Sequence, residues 1–281
     1  MTDIALFRFT NKADKAKSRD GWFLGLGQKA NALAGNDVII GTREAGEGIE
    51  NTGRLQAGFG NDLISGISRQ TTSGNGIYNA YGGLISGGPG NDTIQGKSQR
   101  FGINNDANST INGDDGNDSL IGLADYGITN AEAGLITMGA GRDSLQSKGG
   151  VIGLSNNGVI TTDAGKDQVI ASGREAAILN NGLIDTGSDN DVVDGLTGGF
   201  SGTGRIQLGD GDDVLTGFGT GQFFGDLGQD SLLLPTGTYS IDTALGTISS
   251  GETAMQVTGF ELVGGFHGNR FNMASGTLIV D

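Results

Sequence analysis

No cysteine occurs in the 281 residues, and there are only 2 prolines, 1 histidine and 1 tryptophan. Without thiols the chain has no disulfide framework and no cysteine-built metal site. Scarce proline, with glycine that does not recur at every third position, excludes a collagen-like helix. Apolar residues are 35% and aromatics 6% of the sequence, too little for one conventional core at this length. No apolar run reaches the length of a membrane span. Positive charge is also short: 17 Lys and Arg face 32 Asp and Glu, a net −15. Six of the basic residues, Arg8, Lys12, Lys15, Lys17, Arg19 and Lys29, precede residue 30. The remainder carries 11 basic against 29 acidic residues, a net −18. Such a surface repels nucleic acid and anionic membrane and attracts cations. The opening "MTDIALFRFTNKADKAKSRDG" lacks the apolar stretch and cleavage site of a secretory signal. The chain is therefore expected to be intracellular, a fragment, or exported by a route that needs no such signal.

What is abundant is glycine, 55 residues, much of it in a recurring loop: "AGFGNDLISG", "GGPGNDTIQG", "GDDGNDSLIG", "LGDGDDVLTG". Each loop carries an aspartate, and nine of these anchor a register: Asp37, Asp62, Asp92, Asp118, Asp143, Asp167, Asp191, Asp213 and Asp230. The steps between them are 25, 30, 26, 25, 24, 24, 22 and 17 residues. A period near 24 without helical patterning fits a coil of three short strands joined by turns.

Aliphatic columns define the inward face. Two residues after the anchors stand Ile39, Ile64, Ile94, Leu120, Leu145, Val169, Val193, Leu215 and Leu232. Seven residues before them, from the second coil on, stand Leu55, Ile85, Ile111, Ile136, Ile160, Ile184, Ile206 and Phe223. A third column holds Ile49, Ile77, Ile103, Ile128, Leu154, Ile178 and Phe200. Three apolar columns per turn, stacked at roughly 4.8 Å, predict an all-β chain: a parallel β-helix of about nine coils, right-handed as parallel crossovers nearly always are. The expected organisation is an N-terminal cap over 1–30, the repeat domain over 31–235 and a C-terminal β cap over 236–281. Residues 67–75 hold the insertion that lengthens one coil to 30.

A polar column lies two residues beyond the third apolar one: Asn51, Asn79, Asn105, Asn130, Asn156 and Asn180, with Gly202 next in line. Period-2 geometry turns these amides inward. They are expected to form a buried structural ladder rather than a binding groove, because stacked amides satisfy one another.

The loop "GGPGNDTIQ", 87–95, resembles the nonapeptide G-G-x-G-x-D-x-U-x of the RTX, or hemolysin-type, calcium-binding repeats. Six other loops match in part. "TGSDNDVVD" has Asp189 in place of the fourth-position glycine, and "ALAGNDVII" lacks both leading glycines. The resemblance implies stacked loops with Ca2+ between them, held by backbone carbonyls and by the carboxylates of Asp92 and its eight equivalents. It also implies secretion by the type I route, with a C-terminal signal for which "GTLIVD" is the candidate, and a secreted or cell-surface bacterial protein. This chain departs from that pattern by carrying one such loop per coil, where RTX nonapeptides run in tandem, so only one calcium edge is available. The resemblance covers loops spread over about 33–235.

Charge supports a cation independently. Carboxylates stacked about 5 Å apart repel by ~1 kcal/mol in water and several-fold more at an effective dielectric near 20. Calcium relieves this and takes hard oxygen ligands. The competing reading is that each aspartate only bonds amides of its own loop, as in an Asx-turn. Lys166 and Arg142 make their two loops weaker candidates. Asp114, Asp163, Asp210 and Asp226 are assigned to the second loop position, where they solvate the turn or add ligands.

Catalytic patterns are missing. The lone His267 has no acid or nucleophile pattern beside it, and "NDSL", "RDSL" and "QDSL" are ordinary loop–strand junctions of the repeat. The sequons at Asn91, Asn108 and Asn117 look accidental, two of them lying inside the calcium-type loops. The basic start, interleaved with Asp14 and Asp20, is expected to be a solvated cap. The expected function is a calcium-binding extracellular repeat protein of structural or adhesive type, not an enzyme. Its partners would be calcium ions and cell-surface or extracellular polysaccharide. Two further readings stay open: a calcium-dependent polysaccharide-active β-helix enzyme of the lyase or epimerase type, and a metal-independent surface-binding rod.

Overall fold

The computed structural model describes residues 1–70 and 72–281; of the insertion at 67–75, residue 71 lies outside the described residues. The chain is all-β, with one short 3-10 turn, Ile4–Leu6, as its only helical element among them. No helix there is long and apolar enough to cross a membrane. Stacked parallel strands build a β-solenoid of about eight turns, close to the nine coils expected.

The coils follow one local rule, except that the short one between Asp213 and Asp230 has no second strand. After the loop aspartate a strand such as Leu63–Ser68 or Thr93–Lys97 begins, and alternate side chains enter the core. The strands pair parallel and in register, so Ile64 stands on Ile94 and Ile94 on Leu120. A second strand follows, such as Asn75–Asn79 or Phe101–Asn105, and stacks Ile77 on Ile103. In two coils the first and second strands merge, as Ser119–Asn130 and Ser144–Asn156. The third strand, such as Leu84–Ser86 or Thr110–Asn112, stacks Ile85 on Ile111 and leads into the next loop. All three aliphatic columns are buried and form one continuous core.

The turn between first and second strands is tight enough to select its residues. A methyl group on Gly96 would stand 2.1 Å from the Gly102 carbonyl oxygen, so the two glycines are a steric necessity. Two coils later in this column, Ser147 replaces the glycine and its hydroxyl donates to the Gly153 carbonyl at 2.6 Å, turning a clash into a bond.

The asparagine column forms the expected ladder. Asn51, Asn79, Asn105, Asn130 and Asn156 each donate through Nδ2 to the Oδ1 of the next, at 2.7 to 2.9 Å. The same amides also donate to carbonyls of the third strand, for example Asn105 to Leu135 at 3.1 Å. The column thus ties the corner both along and around the solenoid.

Strand pairing begins earlier than the boundary expected at residue 31. Lys15–Ser18, Trp22–Leu24 and Lys29–Asn31 pair parallel with the three strands of the following coil. Ala16, Trp22 and Ala30 take the places of the aliphatic columns. At the other end, Thr253–Thr258 and Leu262–Gly265 continue two of the faces in parallel. Antiparallel strands then finish the chain: Gly237–Asp242, Thr247–Ser250 and Gly276–Val280 on one face, Arg270–Asn272 on the other. Antiparallel pairing stops the parallel stack from continuing, a device against open strand edges.

Candidate functional site: a file of half-satisfied carboxylates

The nine loop aspartates stand in one file along one corner, each immediately before the first strand of its coil. All nine are buried. Two left-handed backbone positions make the loop. In the "GGPGND" copy these are Gly88, φ 100°, and Gly90, φ 143°. The second loop position keeps its positive φ when it is not glycine, as at Asp114 (78°), Asp163 (66°) and Asp226 (70°). Asp and Asn tolerate that region better than other side-chain-bearing residues. Asp189 does the same at the fourth position, with φ 77°. Asp210 belongs elsewhere: it bridges Ser188 and Leu227, which places it at the third position, with Gly209 at the second. The expected grouping of Asp210 with Asp114, Asp163 and Asp226 is corrected accordingly; counting back from Asp213 gives the same answer.

The carboxylates do not bond their own loops through the stacked contact. Each Oδ1 accepts from the anchor amide one coil earlier: Asp37 N–H to Asp62 at 2.6 Å, Asp62 N–H to Asp92, Asp92 N–H to Asp118 and Asp118 N–H to Asp143, each at 2.7 Å. The pattern continues through Asp167, Asp191, Asp213 and Asp230. Two acids outside the nine extend it. Asp14 donates its amide to Asp37 at 2.6 Å while its own carboxylate accepts from Thr10 N–H. Asp230 donates its amide to Glu261 Oε2 at 2.8 Å. Sequence reasoning missed both: Asp14 lay within the assigned cap, and Glu261 is a longer acid set 31 residues beyond Asp230.

The second oxygen of each anchor is left alone. Oδ2 of all nine aspartates is buried and has no hydrogen-bond partner; the Thr162 and Thr186 hydroxyls stand beside the Asp167 and Asp191 carboxyls, but they donate to the Thr186 and Leu208 carbonyls. These oxygens point back across the loop toward the residue five positions earlier. A methyl group on Gly87 would stand 2.4 Å from Asp92 Oδ2, and one on Gly113 would stand 2.5 Å from Asp118 Oδ2. No cationic side chain compensates them: among the described residues the ion pairs are Arg69–Glu44 and Arg174–Glu175, both exposed. Arg142 and Lys166 are themselves exposed, while their neighbours Asp143 and Asp167 keep the common bond.

Burial without a counter-charge raises the carboxylate pKa values. Desolvation is the leading cause throughout, repulsion from neighbouring acids adds to it, and the accepted amide bond opposes it. Asp92, Asp143 and Asp213 are pushed up to about 7, Asp118 and Asp230 to about 6, and Asp191 to about 8. Asp37, Asp62 and Asp167 shift in the same direction for the same first cause.

A second ladder runs outside the first and in the opposite sense. Asn61 N–H donates to Asn36 Oδ1 at 3.0 Å, Asn91 N–H to Asn61 at 2.9 Å, Asn117 N–H to Asn91 at 2.8 Å and Arg142 N–H to Asn117 at 2.7 Å. The outer ladder resumes with Asp212 N–H to Asn190 at 3.3 Å and Gln229 N–H to Asp212 at 2.9 Å, so six of the eight loop gaps are clamped by an inner and an outer bond of opposite direction; the two gaps beside Lys166 have no outer rung, because Arg142 and Lys166 carry no acceptor. The "ND" pair repeated in these loops was the available signal. Asn91 and Asn117, formally sequon residues, are used here as ladder rungs. Asp114 and Asp163 turn outward onto side chains of the preceding coil: Ser86 Oγ donates to Asp114 at 2.5 Å and Thr137 Oγ1 to Asp163 at 2.8 Å.

What the file offers chemically is a row of hard oxygen atoms on negative, desolvated groups. Among the described residues no three carboxylate or imidazole side chains converge on one point. A cation on this edge would therefore take its remaining ligands from loop carbonyls or water. His267 is exposed and lies edge-to-face on Phe266. No known protein family, curated protein or solved structure matches the chain.

Proposed function

We propose that the protein is a calcium-binding β-solenoid of structural or adhesive type that works outside the cell. The observation that carries this is the unpartnered Oδ2 on each of nine buried aspartates. A buried charge is costly unless it is paired, and nine in a file compound the cost. A hard divalent cation suits that donor set, which holds oxygen and neither nitrogen nor sulfur. The resemblance of residues 87–95 to the RTX nonapeptide supports the same choice of ion. Asp37, Asp62, Asp92, Asp118, Asp143, Asp167, Asp191, Asp213 and Asp230 would hold the metal, which supplies charge compensation and rigidity. The protein's own part is to fix the loops: positive-φ glycines form them, and the amide-to-Oδ1 bonds orient each carboxylate.

A rod stiffened in this way suits display or adhesion, with extracellular polysaccharide as the expected partner class. Export into calcium-rich surroundings would couple folding to arrival, because binding to the folded state alone adds about 2.7 kcal/mol per site at a hundred times Kd. Protonation is the rival way to quiet the same oxygens, since the raised pKa values put it within reach near neutral pH. Isothermal titration at pH 8 separates them. Several calcium ions per chain, with magnesium much weaker and with fewer ions bound after Asp143→Asn, support the proposal. Absence of calcium binding, with stabilisation by acid alone, overturns it.

A further inference from the structure

The 13-stranded sheet starts at Lys29–Asn31 and ends at Gly276–Val280, and each of these margin strands has a neighbour on one side only. The acid file is closed at both ends, by Asp14 turned onto Thr10 and by Glu261, so the file cannot continue into another molecule. The sheet margins have no further strand paired to them; the 3-10 turn Ile4–Leu6 packs beside Lys29–Asn31 without pairing with it. The two ends of the solenoid also carry opposite charge. Arg8, Lys12, Lys15, Lys17, Arg19 and Lys29 are all exposed and outnumber Asp3, Asp14 and Asp20. At the far end, Asp242, Glu252, Glu261 and Asp281 outnumber Arg270. Exposed apolar side chains gather at the same two places. Eight of the thirteen large ones among the described residues lie within the first 33 or last 37 residues, about a quarter of the chain, including Leu6, Leu26, Leu245 and Ile279.

From the open margins, the complementary charge and the shared apolar content, we propose that the chain associates head to tail with a second copy of itself. The basic N-terminal end of one molecule would meet the acidic C-terminal end of the next. Such a contact is heterologous and does not close on itself, so it extends into filaments in which rods of about 40 Å add along one axis. Opposite net charge at the two ends sets the polarity and disfavours head-to-head and tail-to-tail contacts. This inference does not depend on calcium.

Sedimentation velocity across a wide concentration range, in EGTA, tests it. At an ionic strength of about 0.01 M the average mass should rise with concentration, and at about 1 M, where the Debye length is near 3 Å, it should fall toward the monomer. Lys15→Glu with Lys17→Glu should abolish association at low salt. Ile279→Lys, on an exposed edge side chain whose loss leaves the core intact, should do the same without touching the basic end. Circular dichroism of each variant confirms that it is folded. Mixing the double lysine variant with a Glu252→Lys variant should restore hetero-association. A monomer at every concentration and salt, or association that both folded end variants leave unchanged, overturns the proposal.

Discussion

The Asp62 amide donates to Asp92 Oδ1 at 2.7 Å, and Asp92 Oδ2 meets no partner at all. That pairing of one satisfied and one abandoned oxygen, repeated along the file, separates what each carboxylate does for the fold from what it leaves open to a ligand. The two can be dissected by substitution.

Asp143→Ala and Asp143→Asn should differ. Alanine removes the acceptor for the buried Asp118 amide, and leaving that donor unsatisfied costs about 1–3 kcal/mol. Asparagine keeps an oxygen for that amide and removes the desolvated charge, so without calcium its loss of stability should be less than about 1 kcal/mol. Urea unfolding in EGTA measures both. Equal losses would mean that the Oδ1 bond contributes nothing.

Acid should stabilise the metal-free protein. In the file the folded-state pKa values lie above the ordinary 3.8, at about 6 to 8 for Asp92, Asp118, Asp143, Asp191, Asp213 and Asp230. Between the two values the folded state binds more protons than the unfolded chain, so stability increases as pH falls. It is lost as pH rises through the folded pKa values. The melting temperature in EGTA should therefore climb from pH 8 to pH 5, and calcium should flatten the slope at the alkaline end. A melting temperature in EGTA that falls over that range would contradict the desolvated file.

Asn105→Ala should strike the other corner. It leaves Asn79 Nδ2 with only its bonds to the Gly83 and Thr110 carbonyls and takes the donor from the buried Asn130 Oδ1, which is then unsatisfied at a cost on the order of 1–3 kcal/mol. Calcium affinity should change little in the folded fraction, because this column lies away from the loop aspartates. Urea midpoints together with calcium titration check both halves of the statement.

Gly90→Ala and Gly27→Ala make a matched pair of left-handed glycines. A methyl group on Gly90, φ 143°, would stand 1.7 Å from the Gly60 carbonyl oxygen, whereas one on Gly27, φ 76°, meets nothing within 4 Å. The first should cost more than about 3 kcal/mol and the second about 1 kcal/mol, the backbone penalty alone. Comparable melting temperatures for the two would argue that the loops are not stacked at strand spacing.

Much of this architecture was legible because the coil repeats its inward side chains. Ile64, Ile94 and Leu120 announce their column by chemistry alone, and the asparagine ladder from Asn51 to Asn180 is visible as a second one. The first coil escaped because Ala16 and Ala30 stand where larger aliphatics mark the others, and Trp22 fills the third column in place of isoleucine. Glu261 escaped because an antiparallel excursion separates it from Asp230 and because its longer side chain breaks the pattern. The sense of the carboxylate bonds was not legible at all. Whether Asp92 Oδ1 reaches an amide of its own loop or of the preceding coil depends on how two coils stack, which no single loop encodes. The orphaned Oδ2 atoms follow from that same stacking.

The most direct test of the account is thermal melting followed by β-sheet circular dichroism at pH 8, in EGTA and then with excess calcium, with magnesium as the control ion. A large calcium-specific rise in melting temperature is expected, shrinking as loop aspartates are replaced by asparagine. Identical melting curves in EGTA, calcium and magnesium would contradict it and leave the aspartate file as a purely structural ladder.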